Sequence, residues 1–192
     1  MLKVLFITQK VDKEDDVLGI YHEWLKRLAG QVERLNVICL YQGTTDLPAN
    51  ARVFSLGKED RESKLKYLKN FYKYISNLRH NYDVVFVHMN PAYIWLGWPL
   101  WRLWGKKIVY WNASYKISLR MRLAAWLANQ RLTSVSEAFA VSQPVIAVGQ
   151  GIDTELFRPD STVAKAPNSI LYLGRVAPVK NLEVLIAAVQ LL

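Results

Sequence analysis

The sequence predicts an α/β protein built on a doubly wound parallel sheet. Short apolar runs rich in Val and Ile alternate with amphipathic segments along most of the 192 residues. Several of the runs are apolar without alternation, which is typical of strands buried on both faces of a parallel sheet. The regular succession of strand and helix implies right-handed crossovers between neighbouring strands.

The first part of the chain contains three predicted strands and two predicted helices. The strands are Lys3–Thr8, 35–41 and 52–56. Apolar side chains recur at helical spacing over residues 17–28, and Asp15 or Asp16 is the expected N-cap of this helix. A second helix over 60–80 has apolar residues on one face and basic residues on the other.

Four more strands and two more helices are predicted before residue 150. The strands are 83–88, 106–111, 131–136 and 145–149, and the helices are 92–104 and 117–130. The seven strands together predict a Rossmann-like domain over residues 1–150. Residues 151–168 contain two prolines and small polar residues, so we interpret them as a linker. Residues 169–192 are expected to begin a second Rossmann domain with one strand and one helix, and that domain is incomplete.

Composition points to a reducing, cytoplasmic environment. The chain has one cysteine, Cys39, so no disulfide can form within it, and we expect this thiol to be buried. The first residues read as a strand and not as a signal peptide, and no apolar run is long enough to span a bilayer. Three scattered histidines do not suggest a metal site, and we expect neither a metal nor a cofactor.

Basic and aromatic residues are concentrated in one stretch of the chain. Between Val84 and Ser136 there are seven Lys or Arg residues and no Asp or Glu, within a chain whose net charge is +9. Six of the seven tryptophans lie there as well. Core packing and contact with an anionic membrane surface at the inner face of the membrane both explain this pattern. Nucleic-acid binding is not expected, because no recognised binding module accompanies these residues.

Two motifs at the predicted domain boundary carry a family resemblance. The first is Gly-x-Asp-x-x-x-Phe-x-Pro, formed by Gly151, Asp153, Phe157 and Pro159. The second is Gly-Arg-x-x-x-x-Lys, formed by Gly174, Arg175 and Lys180. Together they resemble the junction of the two Rossmann domains in family 4 (group 1) glycosyltransferases of the GT-B fold. The resemblance implies retaining, metal-independent transfer of a sugar from a nucleotide-diphosphate donor to a glycan or lipid-linked acceptor.

The resemblance also implies roles for individual residues. Gly174, Arg175 and Lys180 would bind the donor diphosphate, where two cations stabilise the charge that builds on the leaving group. The catalytic candidates on the acceptor side are His88, Asn112 and Ser114. The residues expected to line the acceptor-side cleft, at the carboxyl edge of the sheet, are Gly19, Asn90, Ser136 and Glu137.

The sequence departs from the family pattern in three places. The loop before Gly19 is acidic and lacks the Gly-Gly pair of many relatives. Asn112 and Ser114 stand where many relatives have a histidine. The downstream Glu pair that holds the donor lies beyond Leu192, so we expect this chain alone to bind a nucleotide sugar poorly. The alternative is a non-catalytic acceptor-binding or membrane-docking subunit that is completed by a donor-domain partner or by self-association.

Overall fold

The computed structural model of the chain describes residues 1–155, 157–164, 166–174 and 176–191. The chain divides into two compact units, Met1–Gly151 and Ile152–Leu192. The first unit contains seven strands: β1 (Lys3–Val11), β2 (Arg34–Gln42), β3 (Ala51–Ser55), β4 (Val84–His88), β5 (Lys107–Trp111), β6 (Gln130–Thr133) and β7 (Ile146–Ala147). They form one sheet in the order β3-β2-β1-β4-β5-β6-β7, and every neighbouring pair is parallel. The predicted α/β, Rossmann-like fold is therefore confirmed.

Four helices of the first unit pack on the sheet, and they are divided unequally between its faces. They are α1 (Ile20–Ala29), α2 (Lys64–Asn77), α3 (Pro91–Leu103) and α4 (Leu119–Leu127). Buried residues of α1 pack with Val4 and Phe6 of β1 on one face. Buried residues of α2, α3 and α4 pack with Leu5 and Ile7 on the other face. Right-handed crossovers explain this division. The connection from β1 to β2 runs toward one edge of the sheet and places α1 on one face, whereas the connections that leave β3, β4 and β5 run toward the other edge and place α2, α3 and α4 on the opposite face.

Side-chain caps fix the starts of three helices. The side-chain oxygens of Ser63, Asn90 and Ser118 accept hydrogen bonds from backbone N–H groups at the starts of α2, α3 and α4. The prediction for α1 was wrong in its start, because α1 begins at Ile20 and not at residue 17. Asp15, an expected N-cap, instead accepts hydrogen bonds from Val17 and Leu18 and closes a turn before the helix.

The second unit does not contain the strand predicted in residues 169–174. None of these residues has strand structure, and the described helical elements of the unit are a 3-10 turn at Pro178–Lys180 and helix α5 (Leu182–Val189). A strand needs a neighbour to satisfy its backbone N–H and C=O groups, and the described residues of this unit supply none. The predicted helix, in contrast, satisfies its backbone within its own segment.

The aromatic residues of the 84–136 stretch are mostly part of the core. Trp101 and Trp111 are buried, and Trp95, Trp98 and Trp104 are half-buried. Tyr115 and Trp126 are the exceptions, with 71% and 66% of their surfaces exposed. Cys39 is fully buried as predicted, and this burial raises the pKa of its thiol to about 12.

Candidate functional site

The carboxyl edge of the sheet has one topological switch point, between β1 and β4. The chain leaves β1 toward β2 and leaves β4 toward β5, so the connections diverge and open a crevice at this edge. Thr8 of β1 and His88 of β4 meet there, with Thr8 Oγ1 at 3.0 Å from His88 Nδ1. The Thr8 side chain was not among the predicted site residues.

His88 is enclosed by four aromatic rings. The ring centroids of Tyr21 and Trp111 lie 4.2 and 4.9 Å from the His88 ring, and those of Phe6 and Trp24 lie at 6.0 and 6.1 Å. Only 3% of His88 is exposed, and desolvation lowers its pKa to about 4. The imidazole is therefore neutral at pH 7, and it forms hydrogen bonds there without the extra proton of an imidazolium.

The second ring nitrogen of His88, Nε2, can form a hydrogen bond with a ligand. Nε2 is buried and has no hydrogen-bond partner among the described residues. A buried polar nitrogen without a hydrogen-bond partner lowers the stability of the folded protein. Tyr21 and Trp24, both on α1, lie against the ring, and Trp24 also donates to the carbonyl of Gly151 at 3.3 Å.

The loop between β1 and α1 is folded onto itself by an acidic side chain. Asp15 lies 2.5 Å from Lys10 Nζ and accepts hydrogen bonds from the N–H groups of Val17 and Leu18. The bond from Lys10, followed by those from the backbone, lowers the pKa of Asp15 to about 2. Gly19 lies so close to this turn that a Cβ atom on it would be 2.5 Å from the Asp15 carbonyl oxygen. The structure therefore gives Gly19 a packing role, which is a sufficient reason for glycine at this position.

Asn112 organises the carboxyl edge through its side chain. Its Nδ2 donates to the Tyr110 hydroxyl at 2.9 Å, and its Oδ1 accepts from the Ser114 N–H at 2.8 Å. Asn112 is 1% exposed, so both ends of its amide are occupied inside the protein. Ser114 is half-buried, and its carbonyl accepts from the N–H of Phe139. The hydrogen bonds of Asn112 and Ser114 thus connect the loop after β5 to the loop after β6.

The remaining acceptor-side candidates lie at the same edge but do not converge. Asn90 is the N-cap of α3, where its side chain accepts from the Ala92 N–H at 3.1 Å. Met89, between His88 and Asn90, has a φ of 63°, which a non-glycine residue adopts only at a cost in energy. Ser136 and Glu137 are exposed just beyond the end of β6.

The donor-side candidates lie in the second unit. Gly174 and Lys180 are exposed, and Lys180 ends the 3-10 turn that precedes α5. Arg175 lies outside the described residues. Among the described residues, no three His, Cys, Asp or Glu side chains come together in a way that could hold a metal ion.

A large apolar cavity on the α1 face of the sheet was missed by sequence reasoning. It has a volume of about 550 Å³, and its walls include Phe86, Val109, Trp111 and Leu132 from β4, β5 and β6. The cavity exists because α1, the helix that the described residues place on this face, covers mainly β1 and β2. The handedness of the crossovers, which is readable from the predicted element order, was the signal that could have revealed it.

The chain matches no family model and no curated protein. Its fold is similar to that of HepE from Anabaena, solved in complex with UDP, with a TM-score of 0.52 at 16% identity over 84% of this chain and 47% of HepE. The apo lipopolysaccharide outer core galactosyltransferase WaaB gives a TM-score of 0.47 at 14% identity over 71% of this chain and 40% of WaaB. The UDP-GlcNAc 2-epimerase of Methanocaldococcus jannaschii gives 0.43 at 10% identity over 70% of this chain and 40% of the epimerase.

The likeness to HepE supports a GT-B type of α/β fold and concerns the fold alone. The chain spans about half of the length of HepE. Membership of family 4 and the incompleteness of the second domain stay predictions. No helix formed by the described residues combines the length and the apolar character that a membrane crossing requires.

Proposed function

We propose that the chain is the acceptor-side half of a nucleotide-sugar-dependent glycosyltransferase, followed by the start of the donor-side half. The reaction is transfer of a sugar from a nucleotide diphosphate to a glycan or lipid-linked acceptor, with retention at the anomeric carbon and without a metal. The observation that carries the proposal is the pair of boundary motifs, Gly151 to Pro159 and Gly174 to Lys180. The Rossmann-like sheet shared with HepE, which was solved with UDP, supports it.

The cations of the second motif supply the electrostatic part of the proposed chemistry. Breaking the bond between sugar and diphosphate places negative charge on the leaving phosphate oxygen. The guanidinium of Arg175 and the ammonium of Lys180 are proposed to stabilise this charge, and Gly174 lets the backbone approach the phosphates. No metal is needed when two cations are held at the leaving group.

His88 is proposed to hold an acceptor or sugar hydroxyl through Nε2, as a neutral hydrogen-bonding group. Its low pKa argues against proton transfer near pH 7. Asn112 is a weaker candidate, because its side-chain amide is already occupied by Tyr110 and Ser114. Ser114, Ser136 and Glu137 lie at the same edge of the sheet and are proposed as secondary contacts.

Titration calorimetry with the 192-residue chain tests the proposal. The ligands are UDP-glucose, GDP-mannose and ADP-glucose, with inorganic pyrophosphate as the control for simple anion binding to a chain of net charge +9. We expect a nucleotide sugar to bind weakly but more tightly than pyrophosphate. Lys180→Ala and Arg175→Ala should each weaken that binding about tenfold or more, as expected for the loss of a charge-assisted hydrogen bond.

The matched control is Arg158→Ala, which removes an exposed cation of the same unit outside the second motif. It should leave the affinity for the nucleotide sugar unchanged. If no nucleotide sugar binds better than pyrophosphate, or if all three variants lose affinity equally, the proposed donor role of Lys180 and Arg175 is wrong.

A second candidate function is an acceptor-binding or membrane-docking subunit that works with a separate donor-domain partner. One observation favours it, namely an exposed apolar and basic surface on α4. The test of this surface does not depend on sugar transfer.

A further inference from the structure

Helix α4 is apolar on two opposite sides. Met121, Ala124 and Ala125 are buried in the core. Leu119, Leu123 and Trp126 are 82%, 46% and 66% exposed. Their spacing of i, i+4 and i+7 places these three side chains on one stripe of the helix. A helix that only packs against a sheet needs one apolar side, so the exposed apolar stripe indicates an interaction surface.

Cations flank the exposed stripe. Lys116, Arg120 and Arg122 are exposed, and none of them forms an ion pair with a residue that the structure describes. Arg131 differs from them, because it donates to the carbonyls of Ala125 and Ala128 and so closes the end of α4. Arg120 and Arg122 on α4, and Lys116 just before it, are thus the cations next to the stripe that have no described ion-pair partner.

A small basic pocket lies at the carboxyl end of α4. It has a volume of about 100 Å³, and its lining includes Arg102, Lys106, Lys107 and Leu127. Leu127, which lines the pocket, is the last residue of α4 and follows Trp126 in the sequence. Lys106 Nζ donates to the Tyr82 carbonyl, so Arg102 and Lys107 are the cations of this pocket that suit a phosphate group.

We propose that this α4 surface, formed by the stripe Leu119, Leu123 and Trp126 with its flanking cations, docks the protein on the headgroup region of an anionic lipid bilayer. Trp and Leu side chains enter the boundary between headgroups and acyl chains, while Lys and Arg pair with lipid phosphates. Charge selects this partner, because α4 and the sequence on both sides of it, from Val84 to Ser136, contain seven Lys or Arg residues and no Asp or Glu. The inference does not rest on the proposed sugar transfer.

Vesicle flotation tests the docking. Full-length chain is mixed with vesicles of phosphatidylcholine alone or with 30 mol% phosphatidylglycerol at about 0.1 M salt. We expect binding to the anionic vesicles only. The double variant Arg120→Gln with Arg122→Gln should partition about 30-fold more weakly, since each cation near an anionic surface contributes about fivefold.

The matched control is Lys69→Gln with Lys73→Gln, which removes the same charge from exposed positions of α2. It should change partitioning less than threefold. Equal losses in both pairs would mean that the net charge of the whole protein is responsible, and would overturn the assignment to α4.

Fluorescence locates the contact. Trp126 is the exposed member of the seven tryptophans, so brominated lipid should quench part of the emission of bound protein. Trp126→Phe should remain bound and lose the quenching. Binding without any quenching overturns the proposal. So does an absence of vesicle binding together with a dimer in sedimentation velocity that Trp126→Ser abolishes, because a second copy of the chain would then cover the stripe.

Discussion

Replacing His88 by Asn should abolish the loss in the free energy of unfolding, about 3 kcal/mol, that His88 causes between pH 7 and pH 4. The folded protein holds the pKa of His88 at about 4 because the ring is desolvated, against an ordinary value of 6.5. Within that window the unfolded chain binds a proton that the folded protein does not, so the free energy of unfolding falls as the pH falls. At about 1.4 kcal/mol per pH unit, the loss is about 3 kcal/mol at pH 4 relative to pH 7.

Asn is the appropriate replacement because its side-chain amide can keep a hydrogen bond to Thr8 Oγ1 but does not titrate. The smaller side chain leaves a cavity between the aromatic rings, and this lowers stability at every pH without changing the slope. Urea unfolding of the wild type and His88→Asn at half-unit steps from pH 4 to pH 7 gives the difference curve, in which the carboxylates common to both proteins cancel.

His80→Asn is the control, since His80 is exposed. Its curve should run parallel to that of the wild type. Parallel curves for wild type and His88→Asn would refute the reasoning, because they would show that His88 titrates normally and that its ring is solvated.

Three further predictions concern the same unit. Gly19→Ala should lower the free energy of unfolding by about 1–3 kcal/mol, because its Cβ would meet the Asp15 carbonyl oxygen, and urea unfolding measures this. Asn112→Ala should cost about 2–4 kcal/mol in the same assay, since it leaves the buried Tyr110 hydroxyl without this partner. Cys39 should resist a thiol reagent at pH 8 in the folded protein and react fully in 6 M guanidinium, because burial holds its pKa near 12; rapid reaction of the native protein would contradict this.

The order of strands and helices was readable from the sequence because apolar runs and helical periodicity are local signals. The β4 run Val84–His88 shows this, since its unbroken apolar character predicted a strand. The expected burial of both of its faces was wrong, because Val84 and Phe86, on the side of the cavity, are only half-buried. Helix and strand ends were less predictable. The start of α1 depended on whether Asp15 would cap the helix or close a turn before it, and that choice is made by Lys10 and the backbone of Val17 and Leu18.

For the candidate site, the sequence predicted the position of His88 but not its burial or its pKa. His88 could be named because polar residues that end buried strands gather at the switch point. The burial of His88 and its low pKa could not be predicted from the local sequence. The rings of Tyr21 and Trp24, which contribute to that burial, come from a helix some 65 residues earlier in the chain. Asn112 was named for its ability to hydrogen-bond a sugar, and the sequence did not show that its side-chain amide already bonds to Tyr110 and Ser114.

The loop between β1 and α1 bears directly on where a diphosphate could bind. At a switch point, phosphate groups favour free backbone N–H groups and positive potential near the start of the first helix. Here the N–H groups of Val17 and Leu18 donate to Asp15, and Asp12 accepts from Glu14 and Thr44, so two carboxylates occupy the place of an anion. Lys10 forms ion pairs with both carboxylates, so the N–H groups of this loop and its nearest cation are already engaged. If this protein uses a nucleotide-sugar donor, nearly all of the free energy of phosphate binding must come from cations outside this loop, which is why the proposed function depends so heavily on Arg175 and Lys180.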